Sequence, residues 1–239
     1  MKTAIVTGAT KGIGLAIARR LLGRGYHVVG TYANDEMAAK RCAEELSSIA
    51  PHFEIIKADQ SDKESMRGFT LQMLQKSSID CIVCNAGATL RCSLTEICDG
   101  EWERIMQINL NSSLYLIRDL YSKIPHNSRI VFIGSLMGVY PHGTSLAYGV
   151  SKASVHALAL NLVKCFEGTN TTVNAIAPGF VETEWQASKP QQIRDNIYAK
   201  SAIKRFATTD EIADAVEFCL NNGFVNGSVI EVSGGYCFK

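Results

Sequence analysis

The chain has 239 residues, of which 46% are hydrophobic, and its formal net charge is +1 at pH 7. This length suits one large α/β domain, so we expect a single domain over residues 1–239, and the apolar content argues against a disordered chain. The near-neutral charge indicates no nucleic-acid partner, and the absence of a long apolar run indicates no membrane span. The apolar N-terminal stretch is too short for a secretory signal, which favours a cytoplasmic protein.

Short apolar stretches alternate with amphipathic ones along the chain. The predicted strands are residues 2–7, 27–32, 53–58, 79–84, 129–134, 172–176 and 228–232. The predicted helices are residues 12–22, 35–49, 63–75, 100–122, 145–167 and 210–221. Continuous apolar strands separated by helices favour a parallel sheet covered on both faces. We therefore predict a doubly wound (Rossmann) α/β sheet of about seven strands, with ligands beyond the carboxyl ends of the strands.

Two of the eight cysteines, Cys81 and Cys84, form a Cys-x-x-Cys pair, a spacing found at redox and metal sites. Both lie in the predicted strand 79–84, where residues three apart point to opposite faces. No second such pair and no His-x-x-x-His accompanies them. We therefore expect reduced structural thiols and no metal site.

The first predicted strand leads into Gly8-x-x-x-Gly12-x-Gly14, directly before a predicted helix. Glycines let the backbone turn tightly and approach a pyrophosphate, whose charge the helix N-terminus then stabilises. A tight turn that binds nothing is the alternative. The position between strand and helix favours dinucleotide binding.

The residues after the second predicted strand bear on the choice of nucleotide. NAD sites usually have an acidic residue at the end of this strand, but here the strand ends at Tyr32, Ala33 and Asn34, and Asp35 follows. Lys11, in the glycine loop, could pair with a 2′-phosphate or simply be a solvated loop lysine. We predict a preference for NADP(H), with NAD(H) as the alternative.

Ser135 follows the fifth predicted strand, and Tyr148 and Lys152 lie four residues apart on the next predicted helix, so they share one face. Hydride reduction of a carbonyl requires a proton for the forming alkoxide. A nearby ammonium would lower the pKa of Tyr148 and make it a better proton-transfer group, and Ser135 could hydrogen-bond the substrate oxygen. A Tyr-x-x-x-Lys pair alone is common on helix surfaces; its combination with Ser135 and the glycine loop indicates a ketone reductase or alcohol dehydrogenase.

In this combination the sequence resembles the single-domain members of the short-chain dehydrogenase/reductase family over essentially its whole length, particularly the branch of 3-oxoacyl-(acyl-carrier-protein) reductases. The matching pieces are residues 7–14, Asp59, Asn85-Ala86-Gly87, Asn109, Ser135, Tyr148 with Lys152, Pro178-Gly179 with Thr183, and residues 232–235.

The resemblance implies a role for each of these positions. The catalytic residues would be Asn109, Ser135, Tyr148 and Lys152, with Asn109 helping to hold a water beside the lysine. The cofactor-binding residues would be Gly8, Thr10, Lys11, Gly12, Ile13, Gly14, Tyr32, Asn34, Asp59, Asn85, Ala86, Gly87, Tyr148, Lys152, Pro178, Gly179, Val181 and Thr183. From the residues alone, Asn109 is predicted to be a solvated polar side chain within a helix.

The resemblance also implies a 3-oxoacyl thioester substrate and a homotetramer. Docking of an acyl carrier protein stays open, because Lys123, Arg129 and Lys164 are not obviously equivalent to the basic residues that dock it. The alternatives are a dehydrogenase of a sugar, polyol, steroid or other small alcohol, an epimerase or dehydratase of the same fold, or a non-catalytic nucleotide-binding regulator.

Substrate specificity is expected in the loops 136–144, with Tyr140 and His142, and 181–205. The second loop is expected to close over the nicotinamide as a lid, with Glu184, Trp185 and Gln186 near the site. The helical spacing of Ile193, Ile197 and Tyr198 favours a short helix that packs on the core.

Overall fold

The computed structural model describes residues 1–141, 143 and 145–236. Its strands are β1 (Thr3–Val6), β2 (His27–Tyr32), β3 (Phe53–Lys57), β4 (Cys81–Cys84), β5 (Arg129–Ile133), β6 (Thr172–Pro178) and β7 (Val229–Val232). Its α-helices are α1 (Gly12–Gly23), α2 (Glu36–Ile49), α3 (Lys63–Met73), α4 (Asp99–Met106), α5 (Ser112–Asp119), α6 (Leu146–Leu162), α7 (Glu184–Ala187), α8 (Gln191–Lys200) and α9 (Thr209–Asn221). None of these helices is long and apolar enough to cross a membrane.

The described strands form one sheet in the order β3-β2-β1-β4-β5-β6-β7, and every pair is parallel. This confirms the predicted doubly wound α/β fold. Strands β1 to β3 extend the sheet in one direction, and strands β4 to β7 extend it in the other, so the strand order reverses between β1 and β4. The loops that follow these two neighbouring strands therefore diverge and leave a crevice. The glycine loop follows β1, and Asn85-Ala86-Gly87 follows β4, so both border that crevice.

Apolar residues fill both faces of the sheet. On one face, α1, α2 and α9 contribute Ile17, Leu46 and Val216 to a buried cluster that contains Cys81. On the other face, α3, α5 and α6 contribute residues such as Phe69, Leu116 and Val155 to a cluster that contains Cys84. The two thiols therefore lie on opposite faces, as predicted, and burial raises the pKa of each to about 12. Such thiols are poor nucleophiles and metal ligands.

Two predicted helices are less regular than expected. The predicted helix 100–122 consists of α4 and α5, joined by a π-helical segment, Gln107–Asn111. The predicted helix 145–167 is α6, which ends at Leu162 and is followed by the 3-10 turn Val163–Phe166. Inserted π-helical turns occur often at functional sites. Here the insertion holds Asn109, which is 3% exposed.

The stretch after β6 has its own short helices. It contains α7 and α8, and the predicted short helix is confirmed, with Ile197 buried against the core and Ile193 exposed. An isolated parallel bridge between Val181 and Ala207 ties its two ends together. The stretch is therefore a loop held at its base.

Candidate active site

A cavity of about 560 Å³ lies at the carboxyl ends of the strands. Its walls include all the predicted cofactor-binding residues and three of the four predicted catalytic ones: Gly8, Thr10, Lys11, Gly12, Ile13, Gly14, Tyr32, Asn34, Asp59, Asn85, Ala86, Gly87, Ser135, Tyr148, Lys152, Pro178, Gly179, Val181 and Thr183. The fourth catalytic candidate, Asn109, does not line it. The fold thus brings residues that are up to 175 positions apart to one site.

The glycine loop is packed too closely to accept side chains. A Cβ on Gly14 would lie 2.1 Å from the carbonyl oxygen of Gly8, and Gly8 itself has a φ of +65°. Asn85 Nδ2 donates to the carbonyl oxygens of Thr7 and Gly8, at 2.9 and 3.0 Å, and ties the loop to the end of β4. The N-terminus of α1 has no side-chain cap and no acidic residue in its first turn. Its free N–H groups and close backbone fit the pyrophosphate of a dinucleotide.

Lys11 is held by carboxylates. Its Nζ lies 2.8 Å from Glu184 Oε2 and 3.6 Å from Asp35 Oδ2, and these contacts, led by the hydrogen bond with Glu184, raise the pKa of Lys11. Lys11 is therefore cationic, as a phosphate-binding residue must be. A phosphate that approaches Lys11 would meet the two carboxylates as competitors.

Ser135, Tyr148 and Lys152 converge beyond β5. The side chain of Ser135 lies close enough to Tyr148 to act on its pKa, and the ammonium of Lys152 lies 5.8 Å from the centre of the Tyr148 ring. Lys152 Nζ donates to the carbonyl oxygen of Ile133 at 2.7 Å and is 4% exposed. Burial lowers the pKa of Lys152 to about 8, which keeps it mainly protonated at neutral pH.

The prediction that the pKa of Tyr148 is lowered is wrong for this structure. Burial raises the pKa of Tyr148, and the neighbouring Ser135 hydroxyl opposes the rise only in part. The reason is that removal of the hydroxyl from water disfavours the phenolate, and Lys152 is aligned with a backbone carbonyl of β5 instead of the phenol. A protonated Tyr148 is nevertheless the form that donates a proton to an alkoxide.

Asn109 is buried, so its interpretation as a solvated side chain is wrong. Its Oδ1 accepts from Ala88 N at 2.8 Å, and its Nδ2 donates to Ala88 O at 2.9 Å and to Ser151 Oγ at 2.8 Å. A Cβ on Gly87 would lie 3.2 Å from Asn109 Oδ1 and 3.4 Å from Lys152 Nζ. Asn109 therefore fixes the loop after β4 against α6, close to the lysine.

One buried residue behind the site escaped the sequence analysis. His156, on α6, is 6% exposed, and its Nε2 accepts from the backbone N–H of Ser135 at 3.3 Å. It fits because Gly134 has no Cβ, which would lie 2.1 Å from His156 Nε2. Burial and the charge of Lys152 lower the pKa of His156 to about 4, so it is neutral. Its only sequence signal is its position, two helical turns after Tyr148.

The outer part of the cavity carries side chains from several loops. Glu184, Trp185 and Gln186 line it, as expected, together with two unpredicted cations, Arg91 and Arg104. Tyr140 does not line the cavity, and His142 lies outside the described residues.

The comparisons with known proteins agree with this geometry. The family model described as short chain dehydrogenase matches residues 2–194. The chain is 32% identical to the 3-oxoacyl-[acyl-carrier-protein] reductase FabG of Escherichia coli K12, over 98% of this chain and 96% of that one. It is 28% identical to the 2-dehydro-3-deoxy-D-gluconate 5-dehydrogenase of Pseudoalteromonas atlantica, over 98% and 95%.

A similar solved structure is that of BdcA in complex with NADPH. It superposes with a TM-score of 0.89 at 28% sequence identity and covers 98% of this chain and 94% of that one. The family match over most of the chain, the full-length relatives and the seven-stranded parallel sheet lead to the same conclusion: the chain belongs to the short-chain dehydrogenase/reductase family of oxidoreductases.

Proposed function

We propose that this protein is an NADP(H)-dependent oxidoreductase that interconverts a ketone and a secondary alcohol, with Tyr148 as its proton-transfer group. The observation that carries the proposal is the convergence of Ser135, Tyr148 and the buried ammonium of Lys152 in one cavity with the glycine loop. A non-catalytic nucleotide-binding protein would have no need to bury a lysine beside a tyrosine and a serine.

The cavity supports a dinucleotide at its β1 side. Gly8, Gly12 and Gly14, with the N-terminus of α1, would hold the pyrophosphate, and Asp59 would lie at the adenosine end after β3. No acidic residue stands within β2 to bind the ribose, and Lys11 is available for a 2′-phosphate once it leaves Glu184. The NADPH complex of the related BdcA supports the same choice over NAD(H).

Each catalytic side chain has a task that its position permits. When bound, the nicotinamide supplies the hydride for the carbonyl carbon. Ser135 would hydrogen-bond the carbonyl oxygen, and Tyr148 would donate its phenolic proton to the oxygen as charge develops there. The Lys152 ammonium, 5.8 Å from the centre of the Tyr148 ring, would stabilise the resulting phenolate once it turns from the carbonyl of Ile133, and Asn109 keeps the loop after β4 in contact with α6.

For the substrate we propose a 3-oxoacyl thioester, supported by the similarity to FabG over nearly the whole chain. The second candidate is a sugar acid, favoured by the similarity to the 2-dehydro-3-deoxy-D-gluconate dehydrogenase. Docking of an acyl carrier protein has little support here. Lys123 donates to the carbonyl of Lys76, Arg129 donates to several backbone carbonyls, and Lys164 lies 3.6 Å from Glu167.

We further propose self-association as a homotetramer, in the cytoplasm. Helix α6 leaves three apolar residues exposed to a substantial degree, namely Leu146, Val150 and Leu160. Exposed apolar surface on a long helix is typical of a subunit interface. Light scattering of the purified protein would give its mass in multiples of 26.1 kDa.

The proposed function is tested by NADPH oxidation with 3-oxoacyl thioesters, diketones and keto sugars as substrates. We expect Tyr148→Phe to lower kcat by roughly a thousandfold, because it removes the proton donor. The Kd for NADPH, measured by fluorescence titration, should stay within about twofold, which shows that the variant is folded. Near-normal turnover in this variant would refute the role of Tyr148.

A further inference from the structure

Two cavity-lining cations have no carboxylate partner. Among the described residues, neither Arg91 nor Arg104 takes part in an ion pair or a side-chain hydrogen bond, although both line the cavity. The two lysines that line the cavity have partners, since Lys11 pairs with carboxylates and Lys152 donates to a backbone carbonyl of β5. The guanidiniums are therefore free to bind a ligand.

Arg91 lines the cavity, and its loop follows a strand that pairs with both β1 and β5. It belongs to the loop after β4, and β4 is the hydrogen-bonded neighbour of β5, which ends just before Ser135. Strand β6 is the neighbour of β5 on the other side, and the stretch after β6 carries Lys189 between α7 and α8. Lys189 does not itself line the cavity, but it follows the lining residues Glu184, Trp185 and Gln186, and its backbone N–H donates to the carbonyl oxygen of Gln186 at 3.0 Å.

Arg91 and Lys189 are close enough in space for the charge of Arg91 to act on Lys189. The pKa of Lys189 is lowered by partial burial and by the positive charge of Arg91. Two cations held near each other without an anion raise the free energy of the folded chain, and a bound anion removes that cost. Neither residue has a carboxylate neighbour within ion-pair distance in the part of the chain that the structure describes.

The phosphates of the proposed cofactor are not the natural occupant of this pair. They belong to the glycine loop after β1 and to Lys11, on the far side of β4 from β5. Arg104, on α4, is also separate from this pair. Gln107, which follows α4, donates to the carbonyl oxygen of Gln60 after β3, so α4 lies towards the adenosine end of the cavity.

We propose that Arg91 and Lys189 bind an anionic group of the substrate, a carboxylate or a phosphate, while the substrate carbonyl lies at Ser135 and Tyr148. The inference rests on the proposed function, since it takes Tyr148 as the reacting end. It assigns the substrate class as a ketone or alcohol with a negative charge. Arginine suits such a group because its guanidinium can donate two parallel hydrogen bonds to anionic oxygens.

The test uses two matched pairs of ketones that differ in charge: levulinate with its methyl ester, and dihydroxyacetone phosphate with dihydroxyacetone. Binding to the NADP⁺-loaded full-length protein is measured by calorimetry, and turnover is measured by NADPH oxidation. We expect the charged member of one pair to bind about tenfold more tightly, which is the usual effect of one charge-assisted hydrogen bond. The pair that shows the effect identifies carboxylate or phosphate.

The preference should disappear in Arg91→Ala and in Lys189→Ala. Arg67→Ala, which removes an exposed cation on α3 outside the cavity, should keep it. Equal binding of charged and neutral members in the wild type would overturn the inference, whether or not they are reduced. So would an Arg91→Ala variant that binds NADPH about tenfold more weakly, because Arg91 would then serve the cofactor. Absence of NADPH oxidation across the whole substrate screen would instead count against the proposed function.

Discussion

At the glycine-loop end of the cavity, backbone atoms lie directly against one another, whereas at the end near Arg91 exposed side chains form the wall. Gly14 has no room for a methyl group, and Asn85 hydrogen-bonds the loop to its neighbour. Arg91, by contrast, is an exposed residue. A change at the first end must move the backbone, and a change at the second end alters only charge. For the proposed function, this means that the position of the cofactor is set by the fold, while substrate specificity depends on exposed side chains.

The largest effect on this contrast is expected from a methyl group added to the glycine loop. We expect Gly14→Ala to weaken NADPH binding by roughly a hundredfold, because the new Cβ would lie 2.1 Å from Gly8 O and 2.6 Å from Asn85 Nδ2. Fluorescence titration with NADPH measures the loss. An affinity close to that of the wild type would show that the loop is less rigid than the packing indicates.

Gly68→Ala is the matched control for this substitution. Gly68 lies within α3 and has open space where its Cβ would be. The added methyl group should raise the free energy of unfolding by roughly 0.5–1 kcal/mol and leave the Kd for NADPH unchanged.

An intermediate effect is expected at His156, behind the catalytic serine. Its pKa is about 4 in the folded chain and near 6.5 in the unfolded chain, so the unfolded chain takes up the proton first as the pH falls. The free energy of unfolding should thus be highest above pH 6.5 and should fall by about 3 kcal/mol as the pH drops to 4.

The variant His156→Leu isolates this contribution. Urea unfolding at a series of pH values should show a shallower loss between pH 6.5 and 4 than in the wild type. At neutral pH the variant should also lose about tenfold in kcat, since the N–H of Ser135 no longer has its acceptor. His156→Gln, which retains an acceptor, should recover part of kcat. Parallel pH profiles for wild type and His156→Leu would contradict the assignment.

The smallest effect is expected at the exposed contact between Lys11 and Glu184. Glu184→Gln removes a competitor for Lys11, so the Kd for NADPH should fall about two- to fivefold, in line with the modest free energy of exposed ion pairs. The Kd for NADH should not change, because NADH has no 2′-phosphate. The matched control is Glu182→Gln, whose carboxylate pairs with Arg194. An equal effect of both substitutions, or on both cofactors, would argue against competition at Lys11.

The sequence by itself determined the fold class and much of the cavity wall, although not the cations Arg91 and Arg104. Strand and helix periodicity is local, and the carboxyl ends of parallel strands meet at one edge, so Gly8, Ser135 and Tyr148 could be placed together without coordinates. The face shared by Tyr148 and Lys152 likewise follows from helix geometry alone.

Only the tertiary structure decided the electrostatics. Whether Tyr148 titrates above or below its ordinary pKa depends on its burial and on where the Lys152 ammonium points, and that ammonium donates to β5. Asn109 and His156 acquired partners from distant segments, Ala88 and Ser135, which no local pattern could indicate. Periodicity along the chain specifies which residues reach the site, but desolvation and through-space charge depend on the packed neighbours of each group.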